Sequence, residues 1–77
     1  MTTLHRSRNW KIEVSGREHG ILHVHVTGPE FRATVGIASG ETIAGKLPPT
    51  TLKEVRGWLD HNSDLAMNKW IERNPGK

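Results

Sequence analysis

Alternate positions in the stretch Ile21–Val26 carry aliphatic side chains, and two of the positions between them are histidines. Successive side chains of an extended chain point to opposite faces, whereas a helix would scatter both sets, so this spacing predicts a β-strand. His23 and His25 then project side by side, about 6–7 Å apart along the strand. His19, beyond a turn at Gly20, can fold back toward them. The opposite face carries Leu22, Val24 and Val26.

Three other segments also alternate between apolar and polar residues. They predict strands at Trp10–Val14, Phe31–Ile37 and Thr42–Leu47. Short loops that contain glycine or proline join the four strands, and such connections are typical of an antiparallel meander. The pair Pro48-Pro49 ends the sheet, because proline has no N–H group to donate to a strand ladder.

An amphipathic helix is predicted after the prolines. Thr51 and Glu54 have the spacing of a capping box, which predicts that the helix begins there. Its apolar stripe consists of Leu52, Val55, Trp58 and Leu59. Gly57 lowers helix stability by up to ~1 kcal/mol relative to alanine in a helix interior. A close approach of the helix to the sheet would explain why glycine is tolerated there. Residues 60–64 are rich in capping residues and predict a break before a second short helix over 65–73, with one longer helix as the alternative.

The apolar stripe of the helix must be buried, and the apolar face of the meander is the large partner available in a chain of 77 residues. We therefore predict a two-layer α+β fold in which a four-stranded antiparallel β-meander packs against one or two C-terminal α-helices (ββββαα). This single domain spans residues 10–74. Residues 1–9, which include Arg6 and Arg8, are predicted to form a flexible basic N-terminal arm, and residues 75–77 a C-terminal tail.

Composition limits the functional classes. The chain has no cysteine, which excludes disulfides and thiolate metal sites and fits a reducing cytoplasm. No segment approaches ~18 consecutive apolar residues, so we expect no membrane insertion. The formal net charge of +3 and the pI near 9.8 permit contact with nucleic acid or an acidic protein, but they require neither.

Several of these features together resemble a small bacterial family, domain of unknown function 4160. The shared features are the spaced histidines His19, His23 and His25-Val26, the Gly-x-Leu-Pro junction Gly45–Pro48, and a helical region with Trp58-Leu59 and Leu65…Trp70. The resemblance covers about residues 10–72, although the family commonly has two prolines where this chain has Ile21 and Leu22. Members are often encoded beside another small uncharacterised domain, in pairs that look like toxin–antitoxin modules. The resemblance therefore implies a small protein partner from the adjacent gene.

The sheet face opposite the valines is predicted to be exposed, and it collects imidazole, guanidinium, ammonium and carboxylate groups. The predicted binding surface consists of Lys11, Glu13, His19, His23, His25 and Arg32. Three kinds of function are compatible with this combination of groups.

A metal site is the first of the three. His19, His23 and His25 can supply three neutral nitrogen ligands to zinc, nickel or copper. Glu18 or Glu13 can act as a fourth ligand or can accept a hydrogen bond that orients one ring. Because His-x-His alone is a weak motif, two histidines on a solvated sheet face are the simpler interpretation.

A ribonuclease-type active site is the second. Such a site needs an acid, a base and a cation near the scissile phosphate, which His23, His25 and either Arg32 or Lys11 would supply. The spacing does not fix a nucleophile or an orienting carboxylate.

A protein-binding surface is the third function and the favoured one. Single-stranded nucleic acid would need aromatic side chains on this face, whereas the tryptophans are predicted on the other. We therefore expect a small cytoplasmic interaction module, one half of a toxin–antitoxin-like pair. The alternative is a ribonuclease-type or metal-dependent enzyme centred on His19, His23 and His25.

Overall fold

The structure, a computed structural model, describes residues 2–16 and 22–74. Within these residues the chain forms five strands followed by one helix. Their bounds are β1 Thr2–Arg6, β2 Lys11–Val14, β3 His23–Thr27, β4 Arg32–Gly36, β5 Thr42–Lys46 and α1 Pro49–Arg73. The strands form one antiparallel sheet in the order β1-β2-β3-β4-β5. The α+β class and the antiparallel meander are confirmed, whereas the sheet has five strands and not the predicted four.

The additional strand, β1, lies where the sequence predicts a flexible arm. It pairs with β2, and the register of the two strands shifts between Thr3 and His5. Such a shift breaks the period-two pattern, so alternation does not reveal the strand. β1 is an edge strand whose one aliphatic side chain, Leu4, packs against the core. The prediction of an arm is therefore wrong over Thr2–Arg6, because backbone pairing with β2 orders a segment that has little apolar surface of its own.

One face of the sheet and one side of α1 form the hydrophobic core. Five aliphatic side chains of β2, β3 and β4 have no exposed area: Ile12, Val14, Val24, Val26 and Val35. The helix, which packs against β2 and β3, buries Val55, Leu59, Ala66 and Trp70. Full burial of one such aliphatic side chain contributes about 1.5–3 kcal/mol relative to exposure. The predicted assignment of the valines to the core-facing side is confirmed.

The helix α1 is continuous but bent at Asn62, which has non-helical backbone angles (φ −132°, ψ 22°). The Asn62 amide nitrogen Nδ2 donates a 2.8 Å hydrogen bond to the carbonyl oxygen of Trp58, so a side chain satisfies this backbone group at the bend. α1 is therefore one helix, as one alternative predicts, and it is bent inside residues 60–64, where the other alternative places a break. Among the described residues, no helix is both long enough and apolar enough to cross a membrane.

The N-terminus of α1 differs from the prediction. The helix begins at Pro49, so Thr51 lies within the first turn, where it is buried. Pro48 occupies the cap position, and none of the described side chains caps the helix. The N–H group of Leu52 donates to the Pro48 carbonyl oxygen at 2.9 Å. The predicted capping box is therefore wrong, because a proline at the first helical position already has the φ angle that a helix requires.

A single asparagine ties the C-terminus of α1 to the sheet. Asn74 is 3% exposed, and its Nδ2 donates to the carbonyl oxygen of Trp70 at 2.8 Å and to that of Ser15 at 3.0 Å. Ser15 follows β2 directly, so these bonds hold the last turn of the helix beside the end of that strand. Buried carbonyl groups at a helix end need such donors, because they have no partner within the helix.

Two glycines have opposite surroundings. Gly45, in the Gly-Lys-Leu-Pro junction, has a positive φ of 77°. A Cβ atom at this position would collide with the carbonyl oxygen of Arg32 and would lie 2.9 Å from the Cα atom of Ala33. Around Gly57, by contrast, a Cβ atom would meet none of the described atoms within 4 Å. The predicted close approach of the sheet to Gly57 is therefore wrong, whereas Gly45 allows β5 to lie against β4.

The two glycines provide a matched pair of substitutions. We expect Gly45→Ala to lower the free energy of unfolding by about 1–3 kcal/mol, because alanine is strained at positive φ and collides with β4. Gly57→Ala should raise it by up to ~1 kcal/mol, since alanine is the better helix former and space is available. Urea denaturation followed by circular dichroism measures both. If both substitutions changed the free energy of unfolding in the same direction, the proposed difference between the two positions would be wrong.

Candidate functional site

The candidate site is the sheet face that points away from the buried valines, here called the polar face. Residues directly opposite each other in antiparallel strands point to the same side of a sheet. The pairing therefore arranges two rows of side chains across all five strands of the polar face. The histidine row consists of Thr3, Glu13, His25, Thr34 and Ala44. The cation row consists of Arg6, Lys11, Thr27, Arg32 and Lys46.

Side chains of the histidine row contact one another. Thr3 Oγ1 donates to Glu13 Oε2 at 3.3 Å, and Thr34 Oγ1 lies 3.5 Å from His25 Nδ1. The same Glu13 oxygen lies 3.7 Å from the Lys11 ammonium group, which joins the two rows. Only 11% of the Glu13 side chain is exposed, so the predicted exposure of this face is wrong at Glu13, whose carboxylate lies against Thr3 and Lys11. The polar face therefore contains an ordered group of donors and acceptors at its centre.

The two histidines of β3 lie side by side but differ in exposure. Their ring centroids are 5.1 Å apart with nearly perpendicular planes. His25 is partly exposed, whereas His23 is 8% exposed and has its ring centroid 6.0 Å from that of Trp70. β3 begins at His23, near the C-terminal end of α1, so an aromatic residue of the helix reaches this ring. The predicted adjacency of the imidazoles is present, and the prediction that both project into solvent is wrong for His23.

The metal hypothesis depends on a residue beyond this pair. His19 lies outside the described residues. Across residues 2–16 and 22–74, no group of three or more His, Asp or Glu side chains is arranged to bind a metal ion. A site formed by His19, His23 and His25 therefore stays a prediction, with His23 and His25 placed so that their rings are neighbours.

The catalytic hypothesis needs three groups that reach one substrate. Arg32 lies opposite Thr27 in the cation row, whereas His25 lies opposite Thr34 in the histidine row. Their positions are two residues apart along the strands, about 6–7 Å. Arg32 is exposed and His25 is partly exposed, but little of the His23 surface can touch a substrate. The geometry thus offers one accessible imidazole with a cation in the next row.

The sequence did not identify two residues of the polar face, Arg6 and Lys46, or the position of His5 on the core side. Arg6 and Lys46 complete the cation row, but their place in it depends on the pairing of β1 and β5. His5 packs on the core side, with its ring centroid 5.5 Å from that of Trp10 and 5.4 Å from that of Trp58. The one signal available from the sequence was the abundance of basic residues near the N-terminus, which indicates charge and not a strand.

Comparison with known proteins gives one match. The family model described as Domain of unknown function (DUF4160) matches residues 11–71 of the chain. This range contains β2 to β5 and nearly all of α1, and therefore most of the polar face. Neither the curated proteins nor the solved structures contain a significant match.

The unequal burial of the two imidazoles predicts unequal costs when they are removed. His23→Ala should lower the free energy of unfolding by about 1–3 kcal/mol, because it leaves a cavity beside Trp70. His25→Ala removes a partly exposed ring and should change the free energy by about 0.5 kcal/mol or less. Each variant is the control for the other in urea denaturation. Equal losses would mean that the two rings have the same structural role.

Proposed function

Because the chain belongs to the family described as Domain of unknown function (DUF4160), whose description assigns no activity, we propose a function from the geometry of the polar face. We propose that the protein is a small cytoplasmic protein-interaction module, one half of a toxin–antitoxin-like pair. The proposed partner is a small protein encoded by the adjacent gene. The proposed interface is the polar face, with Lys11, His25 and Arg32 as contact residues. Glu13 is 9% exposed and supports the interface through its contacts with Thr3 and Lys11.

The order of the histidine row is the observation that supports this proposal best. Thr3, Glu13, His25 and Thr34 contact neighbouring side chains while they point away from the core. Binding to a surface that is already ordered costs less conformational entropy than binding to a surface of mobile side chains. The row also presents hydroxyl, carboxylate and imidazole groups within a short distance. Such a mixture suits the hydrogen bonds of a protein–protein interface.

The edge strand β5 adds a second supporting feature. β5 has one strand neighbour, β4, and its residues Ile43 to Lys46 are exposed. Ile43 is 49% exposed, an apolar side chain that a partner can cover. An edge strand also presents unpaired backbone groups to which a partner's extended segment can bind. A partner that approaches from this edge would contact Ala44 first and then the rest of the histidine row.

The enzyme alternative has less support from the same geometry. Acid–base catalysis by two histidines requires that both rings reach hydrogen-bond distance of the substrate. His23 is 8% exposed and lies beside Trp70. Its surroundings are those of a residue that stabilises the end of β3. We therefore assign His23 to support of the interface and His25 to the interface itself.

The proposal predicts that a larger side chain on the histidine row weakens binding of the partner protein. Ala44 is exposed on the polar face, and Ala44→Phe adds a rigid ring without removing a side-chain hydrogen bond. We expect it to weaken binding of the adjacent gene's product at least tenfold, about 1.4 kcal/mol. The matched control is Ala38→Phe, because Ala38 is exposed in the β4–β5 turn beside Arg56 and Leu59 of the helix.

Co-purification and isothermal titration calorimetry with the adjacent gene's product measure this effect, and circular dichroism checks that both variants fold. The control should bind like the unmodified protein. No complex between the two unmodified proteins, or equal binding by both phenylalanine variants, would overturn the proposed interface.

A further inference from the structure

We infer that the cation row binds the phosphate backbone of double-stranded nucleic acid. This inference goes beyond the proposed protein interaction and does not rest on it. It rests on the arrangement of four basic side chains in one line across the sheet: Arg6, Lys11, Arg32 and Lys46. The fifth member, Thr27, carries a hydroxyl group that can donate to a phosphate oxygen.

The row is long enough to contact several phosphates. Neighbouring strands are roughly 4.8 Å apart, so the five strands extend the row over about 19 Å. Arg6, Arg32 and Lys46 are exposed. Lys11 is partly covered, with 35% of its side chain exposed and its ammonium group 3.7 Å from Glu13. No carboxylate belongs to the row itself, so its positive charge is only partly balanced by the neighbouring row.

The surface beside the row is concave. One hollow at this end of the sheet is lined by Arg6, Arg8 and Lys11, and a second hollow is lined by Arg32 and Lys46. Asn9 and Pro29 line both hollows, so the two are adjacent. Glu30 is a carboxylate at the second hollow. Five cations and one carboxylate therefore line two adjacent shallow hollows, and the second hollow also has the apolar side chains of Phe31 and Leu47.

Lys11 and Arg32 also belong to the proposed protein interface, but the row as a whole has the chemistry of a site for a polyanion. The residues that dominate the affinity of protein interfaces are mostly tryptophan, tyrosine and arginine, and the cation row supplies arginine but no aromatic ring. Contacts to phosphate require positive charge and hydrogen-bond donors; four members of the row supply both, and Thr27 supplies a donor. The charges form two pairs, one on each side of the neutral Thr27, and each pair can contact phosphates of a duplex backbone.

The position of the aromatic residues favours a duplex over a single strand. Binding of a single strand uses aromatic rings on which the bases stack. Trp10 and Phe31 line the two hollows, but Trp10 is 8% exposed and Phe31 packs partly against the core. Trp70 is buried, and Trp58 packs against the core. A duplex needs no such rings, because its bases already stack on one another. Contacts to the backbone alone do not depend on the sequence of the duplex.

The test is the salt dependence of binding to a labelled duplex DNA of about 20 base pairs, with a duplex RNA of the same sequence as a second probe. Fluorescence anisotropy at about 50 to 200 mM salt measures the association constant. The logarithm of this constant should fall linearly with the logarithm of the salt concentration, with a slope of about −3 to −4 for DNA, because each neutralised phosphate contributes roughly −0.9. Absence of binding to both duplexes at the lowest salt would overturn the inference.

Single charge removals test whether the row is the site. Arg32→Gln and Lys46→Gln should each weaken binding uniformly across duplex sequences and reduce the slope by about 1. The matched control is Lys53→Gln, an equal loss of charge at an exposed position of α1. We expect this control to leave the slope unchanged.

Two further outcomes would contradict the inference. An equal effect of Lys53→Gln would show that duplex binding depends on net charge and not on the row. Row variants that lose the protein partner but keep the slope for duplex DNA would assign the row to the protein interface. Because Ala44→Phe tests the protein interface without removing a cation, the two proposals fail separately.

Discussion

The burial of aliphatic side chains between the sheet and α1 is the interaction on which the rest of the structure depends. Because the side-chain period of a strand is two, a shift of one residue would move the valines to the surface and the histidines into the core. Val24 and Val26 have no exposed area. The free energy gained by burying these two side chains fixes the register of β3. The same register places His25 opposite both Glu13 and Thr34. The arrangement of the polar face is thus a consequence of what the core requires.

The connections at the two ends of α1 complete this arrangement. Gly45 has the left-handed backbone that allows β5 to lie against β4 just before the helix begins. Asn74 holds the other end of α1 beside the end of β2. Between these two points the bend at Asn62 changes the direction of the helix. The helix packs against β2 and β3, and its residue Trp70 lies beside His23, the first residue of β3.

The alternation of apolar and polar residues identifies some elements of this fold and misses others. Alternation placed four of the strands, and it placed the valines of β3 on the core side. It did not reveal β1, because the shift between Thr3 and His5 breaks the pattern in a polar segment. Gly57 illustrates the opposite case, since a helical glycine suggested a close contact that the structure does not contain. Local patterns report which residues prefer burial, but they do not report which neighbour provides it.

The same distinction separates what the sequence determined from what the tertiary structure decided. The sequence alone determined the α+β class, the apolar and polar faces of the strands, and the family. These follow from periodicity and from short motifs, the spaced histidines and the Gly45–Pro48 junction, whose residues lie close together within each motif. Only the tertiary structure decided that His23 is buried while His25 is partly exposed, and that Arg6 and Lys46 lie in one row with Lys11 and Arg32. The physical reason is that burial and cross-strand neighbours depend on contacts between residues far apart in sequence. Those contacts exist only when the strands have paired in their final register and the helix has packed on the sheet.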